Sequence, residues 1–210
     1  MSRLLYIKSS PTGKLSYSLR VADAFIEEYK KQNPKDEILT LDVFREPLPA
    51  FDGAAASAKY RVLHGLNPTK EDQKIWKEIE AVIERFKNAD KYVLAVPMWN
   101  FGIPYRLKQY IDILVQAGYT FTYSAEKGYQ GLVMGRPLLV IYARGGQYPK
   151  GTPDEAIDYQ SKYVDFIFRF MGFEKIDSIY VEPTLQGGTE TAEKKCQQAT
   201  EIAKELAAKF

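Results

Sequence analysis

Tyr92-Val93-Leu94-Ala95-Val96 is an unbroken apolar run, and the chain continues Pro97-Met98-Trp99-Asn100-Phe101-Gly102-Ile103-Pro104. A short run without polar alternation predicts a strand buried on both faces. Pro97 closes it. Pro104, with its fixed φ and missing N–H, suits the first turn of a helix, and Leu107, Tyr110, Ile111 and Leu114 then recur on one helical face. A doubly buried strand feeding an amphipathic helix is the repeating unit of a parallel sheet covered by helices.

Outward from this stretch the same unit recurs. Residues 4–8, 38–43, 138–143 and 176–181 read as four further strands. Between them lie helical stripes: Leu19, Ala22, Phe25, Ile26 and Tyr29; then Ile75, Ile79, Val82, Ile83 and Phe86, opened by a capping-box pair, Thr69 with Asp72. Residues 154–171 and 189–210 read as the last two helices, the final one lined by Ala192, Cys196, Ala199, Ala203 and Leu206. Residues 45–53, punctuated by prolines, read as a surface loop, and residues 119–132 alternate aromatic and polar around Gly128, as in a hairpin. The expectation is an α/β fold: a doubly wound, five-stranded parallel sheet in a single domain, residues 1–210, with neither repeat nor linker.

Composition excludes several classes. Cys196 is the sole cysteine and His64 the sole histidine, so disulfides, cysteine-rich zinc sites and histidine clusters are ruled out and no metal is expected. With 29 basic against 27 acidic residues, the net charge of +2 lacks the footprint of a protein that binds nucleic acid. The apolar stretch at the N-terminus is too short for a signal peptide, and no run approaches the roughly 18 residues that cross a bilayer. A soluble protein of a reducing cytoplasm is expected.

Ligands of such sheets sit beyond the carboxyl ends of the strands, and three loops there are unusual. Ser9-Ser10-Pro11-Thr12-Gly13-Lys14-Leu15-Ser16-Tyr17-Ser18 leads into a helix and is rich in hydroxyls. It fits a phosphate cradle at a helix N-terminus, or simply an N-cap cluster, and it matches neither the P-loop nor the dinucleotide fingerprint. Residues 97–104 place Met98, Trp99 and Phe101 together, which suits a planar apolar ligand or a core plug. Ala143-Arg144-Gly145-Gly146 allows close backbone approach, or merely a turn.

Together the serine loop, residues 97–107, residues 118–123 and Arg144-Gly145-Gly146 resemble the FMN-dependent, NADH-using azoreductases of the flavodoxin-like quinone reductase superfamily, nearly end to end. The resemblance implies a flavodoxin-like sheet of order 2-1-3-4-5 with helices on both faces. It implies that Ser10, Ser16, Tyr17 and Ser18 hold the phosphate and ribityl chain of FMN. Met98, Trp99, Asn100 and Phe101 would line the isoalloxazine, and Ala143, Arg144, Gly145 and Gly146 its pyrimidine edge. It further implies a homodimer with sites at the subunit interface, the substrate pocket being shaped by Asn100, Tyr123 and Phe170. Trp99 stands where many members have Tyr, which bears on acceptor preference, and Ala143 where Ser is common.

The implied activity is reduction of quinones and aromatic azo compounds by NADH, or NADPH, in ping-pong two-electron steps. FMN carries the chemistry and no side chain is needed as a catalyst. Two alternatives stand beside it: a flavodoxin-type electron carrier, which the +2 charge and the hairpin disfavour, and an acyl-carrier-protein phosphodiesterase, for which the loops hold no activated nucleophile. Outside the loops, His64 reads as an exposed histidine near a helix end and Cys196 as core. The helix assigned to residues 154–171 carries Tyr159, Tyr163, Val164, Phe166, Ile167, Phe168, Phe170 and Met171. It is apolar on more than one face, as a deeply buried helix or a subunit contact would be.

Overall fold

The computed structural model describes residues 1–210. Its elements, in chain order, are β1 (Arg3–Lys8), α1 (Tyr17–Gln32), β2 (Glu37–Asp42), α2 (Gly53–Leu63), α3 (Lys70–Lys87), β3 (Lys91–Pro97), α4 (Tyr105–Leu114), β4 (Phe121–Ser124), β5 (Gly128–Gly131), β6 (Leu138–Ala143), α5 (Tyr159–Met171), β7 (Ile176–Val181) and α6 (Gly188–Ala207). Five strands form one sheet in the order β2-β1-β3-β6-β7, every pairing parallel. With the separate β4–β5 hairpin left out of the count, this is the expected order 2-1-3-4-5.

The continuous apolar runs lie where both faces are covered. Residues 92–96 of β3 and all of β6 are buried. One face packs Leu4, Tyr6, Val93 and Ile141 against Leu19 and Phe25 of α1 and Cys196, Ala199 and Ala203 of α6. The other packs Leu5, Leu94, Val96 and Val140 against Trp76, Ile83, Leu107, Ile111 and Phe168 of α3, α4 and α5. Helices therefore sit on both faces. The small residues of α6 let it approach α1 closely, which accounts for the buried cysteine.

The capping box forms as expected: the Asp72 amide donates to Thr69 Oγ1 at 3.1 Å, and the Thr69 amide donates to Asp72 Oδ2 at 2.9 Å. Apart from one-residue shifts at element ends, such as β2 ending at Asp42 rather than Val43, two helix boundaries and one element differ from expectation. The helix assigned to residues 154–171 begins at Tyr159, because residues 153–157 form a separate 3-10 turn and Asp158 caps α5 by accepting from the Ser161 amide at 2.9 Å. The last helix stops at Ala207. Helix α2 has no apolar stripe to announce it, since only Ala55 and Ala58 are buried; Asp52 starts it, accepting from the Ala54 and Ala55 amides at 3.0 Å each.

The hairpin is seated by two glycines. A Cβ on Gly131 would lie 2.2 Å from the Gly172 nitrogen, so β5 touches the end of α5 through bare backbone.

Candidate active site

The loops after β1, β3 and β6 meet at one edge of the sheet and are tied to each other there. Ser9 Oγ donates to the Ala95 carbonyl at 2.5 Å, and the Met98 amide donates to the Ala143 carbonyl at 2.8 Å.

The serine loop makes a short 3-10 turn, Gly13–Leu15, before Ser16 caps α1 by accepting from the Leu19 amide at 3.4 Å. Ser10, Ser16 and Ser18 are all buried. Apart from that cap bond, their hydroxyls meet only other hydroxyls: Ser16 lies 3.2 Å from Ser18, and Ser10 lies 3.1 Å from Thr12. The Tyr17 and Ser18 amides, in the first turn of α1, find no acceptor within the chain. Buried hydroxyls beside unengaged amides at the positive end of a 16-residue helix form a cradle for an anion.

The loop after β3 folds into a two-residue turn. The Trp99 amide donates to the Gly102 carbonyl at 3.0 Å, and the Gly102 amide returns the bond at 2.9 Å. Asn100 and Phe101 occupy the centre with φ of 47° and 65°, both in the left-handed region. Trp99 and Phe101 are exposed. The Trp99 ring packs against Phe44 at 5.7 Å and Tyr105 at 6.2 Å, so the wall is built from three segments. Phe44 was not among the expected residues; its only signal was its position just past β2.

In the third loop Ala143 is buried. The Arg144 amide donates to the Val181 carbonyl at 3.1 Å, and the Gly145 carbonyl accepts from the Leu185 and Gln186 amides, each at 3.1 Å. The Gly145 and Gly146 amides have no acceptor within the chain. A Cβ on Gly145 would stand 2.8 Å from Leu185 Cδ1, so the bare backbone lets this loop close on its neighbour. The Arg144 side chain turns under the loop, only 3% exposed, and donates from Nη1 to Asp158 Oδ2 at 2.8 Å. Burial pushes the neighbouring Glu182 carboxyl up, and the Arg144 cation opposes that shift.

Beside the Trp99 turn opens a groove of about 1230 Å³, lined by Phe51, Trp99, Asn100, Ile103, Tyr159 and Phe166 among others. Of the expected pocket residues, the structure brings Asn100 here. Tyr123 and Phe170 do not line it; they belong to an aromatic strip running through Tyr129, 4.9 Å and 5.5 Å from its ring. His64 is exposed at the end of α2, and Cys196 is buried on α6.

A flavodoxin-like fold family model matches residues 2–206. Over 212 aligned residues, covering 100% of each chain, the sequence is 51% identical to the FMN-dependent NADH:quinone oxidoreductase of Nitratidesulfovibrio vulgaris (strain DP4). The chain belongs to the FMN-dependent NADH:quinone oxidoreductase family. An azoreductase from Bacillus anthracis str. Sterne superposes with a TM-score of 0.91 at 30% identity, covering 100% of both chains. An FMN-dependent NADH-azoreductase from Bacillus anthracis str. Ames Ancestor, solved in complex with FMN, superposes with a TM-score of 0.87 at 31% identity, covering 99% of this chain and 100% of that one. Membership of the quinone oxidoreductase family favours the enzyme over the electron carrier and the phosphodiesterase.

Proposed function

We propose that this chain, as one domain over residues 1–210, is an FMN-dependent NAD(P)H oxidoreductase that reduces quinones and aromatic azo compounds in ping-pong order. The observation that carries the reading is the meeting, at one sheet edge, of an anion cradle with an apolar turn and a second set of free amides. The buried hydroxyls of Ser10, Ser16 and Ser18 and the unengaged amides of Tyr17 and Ser18 fit the phosphate and ribityl chain of FMN. Met98, Trp99, Asn100 and Phe101 fit the flat ring, and the Gly145 and Gly146 amides fit the acceptor atoms of its pyrimidine edge, with Ala143 and Arg144 completing that loop.

When bound, the flavin supplies two-electron hydride chemistry that no side chain here carries. The chain's own residues bind and orient. The Trp99 wall, braced by Phe44 and Tyr105, excludes water from one side of the slot and gives a planar donor or acceptor a surface to lie on. Because NADH and the acceptor share that slot, one must leave before the other enters.

We further propose a homodimer with its sites at the interface. Support comes from exposed aromatics around the groove, with Tyr105, Tyr159 and Phe166 each more than 60% exposed. In a dimer, Tyr123 and Phe170 reach the pocket from the neighbouring subunit, which explains why they miss it within one chain. No helix is long and apolar enough to cross a membrane, and we place the enzyme in the cytoplasm.

The purified protein should show flavin absorption that bleaches with NADH under anaerobic conditions and returns on adding a quinone or an azo dye. Initial-velocity plots should give parallel lines; intersecting lines would rule out the shared slot. A colourless protein that FMN cannot reconstitute would remove the reading altogether. Trp99→Ala should change the ratio of kcat/KM between acceptors by about 10-fold while FMN retention stays, since loss of one aromatic surface is worth roughly 1–2 kcal/mol. A Trp99→Ala protein purified without flavin would show instead that Trp99 anchors the cofactor.

A further inference from the structure

One side chain fastens the Gly145–Gly146 loop to the start of α5. Arg144 Nη1 donates to Asp158 Oδ2 at 2.8 Å, and Arg144 Nε lies 3.4 Å from Glu182 Oε2. The guanidinium carbon stands 4.3 Å from the Tyr180 ring centre, 5.3 Å from Tyr148 and 5.6 Å from Tyr142. Above it, the Arg144 carbonyl accepts from the Thr184 amide at 2.8 Å and from Thr184 Oγ1 at 2.9 Å. The cation thus sits between Tyr180 of β7 and Asp158 at the start of α5.

Asp158 is more than a counter-ion. Its Oδ1 caps α5 through the Ser161 amide, and Tyr159, the next residue, lines the groove. Gln160 is fully buried and donates from Nε2 to the Val96 carbonyl at 3.0 Å, tying the same helical turn to the end of β3. The first turn of α5 is therefore pinned to β3 by an amide and to the cofactor loop by a charge.

Stability does not explain such a pair. A buried ion pair can often be replaced by apolar residues at no cost, because desolvation offsets the attraction. What a planar, aromatic-flanked guanidinium provides is one allowed geometry. We propose that Arg144 is a positioning residue: through Asp158 it sets the distance between the Gly145–Gly146 amides and the Tyr159 wall, so that one cation aligns the cofactor edge with the acceptor groove. This rests on the function proposed above.

Two variants test it. Arg144→Lys keeps the charge and loses the planar fork. Asp158→Asn keeps a good cap and loses the charge. In Arg144→Lys, hydrogen exchange of the apo-protein should quicken together at the Thr184, Leu185 and Gln186 amides and at the Ser161 amide, by about 10-fold. In the loaded enzyme, FMN Kd and quinone KM should each rise roughly 10-fold. Asp158→Asn should raise quinone KM by a similar factor, about 10-fold, and leave FMN Kd within about 2-fold, since the loop keeps its backbone bonds.

Exchange rates and quinone KM within about 2-fold of wild type in both variants would overturn the proposal. If Arg144→Lys does not fold, Asp158→Asn decides alone. If the exchange effects appear but the wild-type chain binds no FMN, the coupling of loop to helix stands and the proposed function falls.

Discussion

A protein with Ser16 and Ser18 both replaced by alanine is expected to purify colourless and to bind FMN at least about 10²-fold more weakly than wild type. Hydrogen bonds to a charged group are worth roughly 1.5–3 kcal/mol each, so two lost hydroxyls remove at least about 3 kcal/mol. The amides of the first turn of α1 remain and preserve some affinity. Ser16→Ala also removes a helix cap, at about 1 kcal/mol. Thermal melting of the apo-protein therefore has to accompany the fluorescence titration. Ser16→Thr alone, which keeps the cap and both hydroxyls, should bind FMN within about 3-fold of wild type. A double variant that stays yellow, with a Kd within about 3-fold of wild type, would move the phosphate away from α1.

The other large effect is expected at the exposed face of α5. Phe166 is 64% exposed in the single chain and lines the apolar groove. As a central aromatic in a subunit contact it would be worth about 2 kcal/mol or more. A carboxylate in its place adds the cost of desolvating a charge. Phe166→Asp should therefore weaken the dimer at least about 10²-fold, giving monomers at micromolar concentration in analytical ultracentrifugation. FMN content should persist, because the cradle lies within one chain. If the proposed dimer is right, acceptor turnover should fall as it dissociates, since Tyr123 and Phe170 would then be withdrawn from the pocket. A dimer that survives with full turnover would place the subunit contact on another face.

The parts of the fold that were legible are those whose physics is local. Strands β3 and β6 are buried on both faces, so their apolar runs carry their own signature, and the Thr69–Asp72 box announces α3 three residues at a time. Helix α2 was illegible because its buried face is two alanines. The 3-10 turn before α5 looks helical in sequence because hydrophobic periodicity alone does not separate the two; the separation depends on how Asp158 is bonded.

At the site, the hydroxyl-rich approach to α1 and the Met98–Phe101 cluster could be singled out, because their residue types are unusual for loops. The geometry between segments could not. Nothing local marks Arg144 as buried, since Asp158 lies 14 residues away and the knot closes only when α5 packs down. Phe44 behind Trp99 was hidden for the same reason, and unengaged amides leave no trace in a sequence at all.

The turn at Asn100 and Phe101 bears on how this protein would respond to selection for heat resistance. A phenylalanine at φ of 65° holds a conformation that glycine adopts freely, at a strain of about 1–3 kcal/mol. Evolution toward a hotter environment, or a library screened only for survival on heating, would be drawn to glycine at 101. Such a variant would keep its fold longer and lose an aromatic surface beside the slot. The chain has thermal endurance in reserve at this turn, and spends it on the shape of its sheet edge.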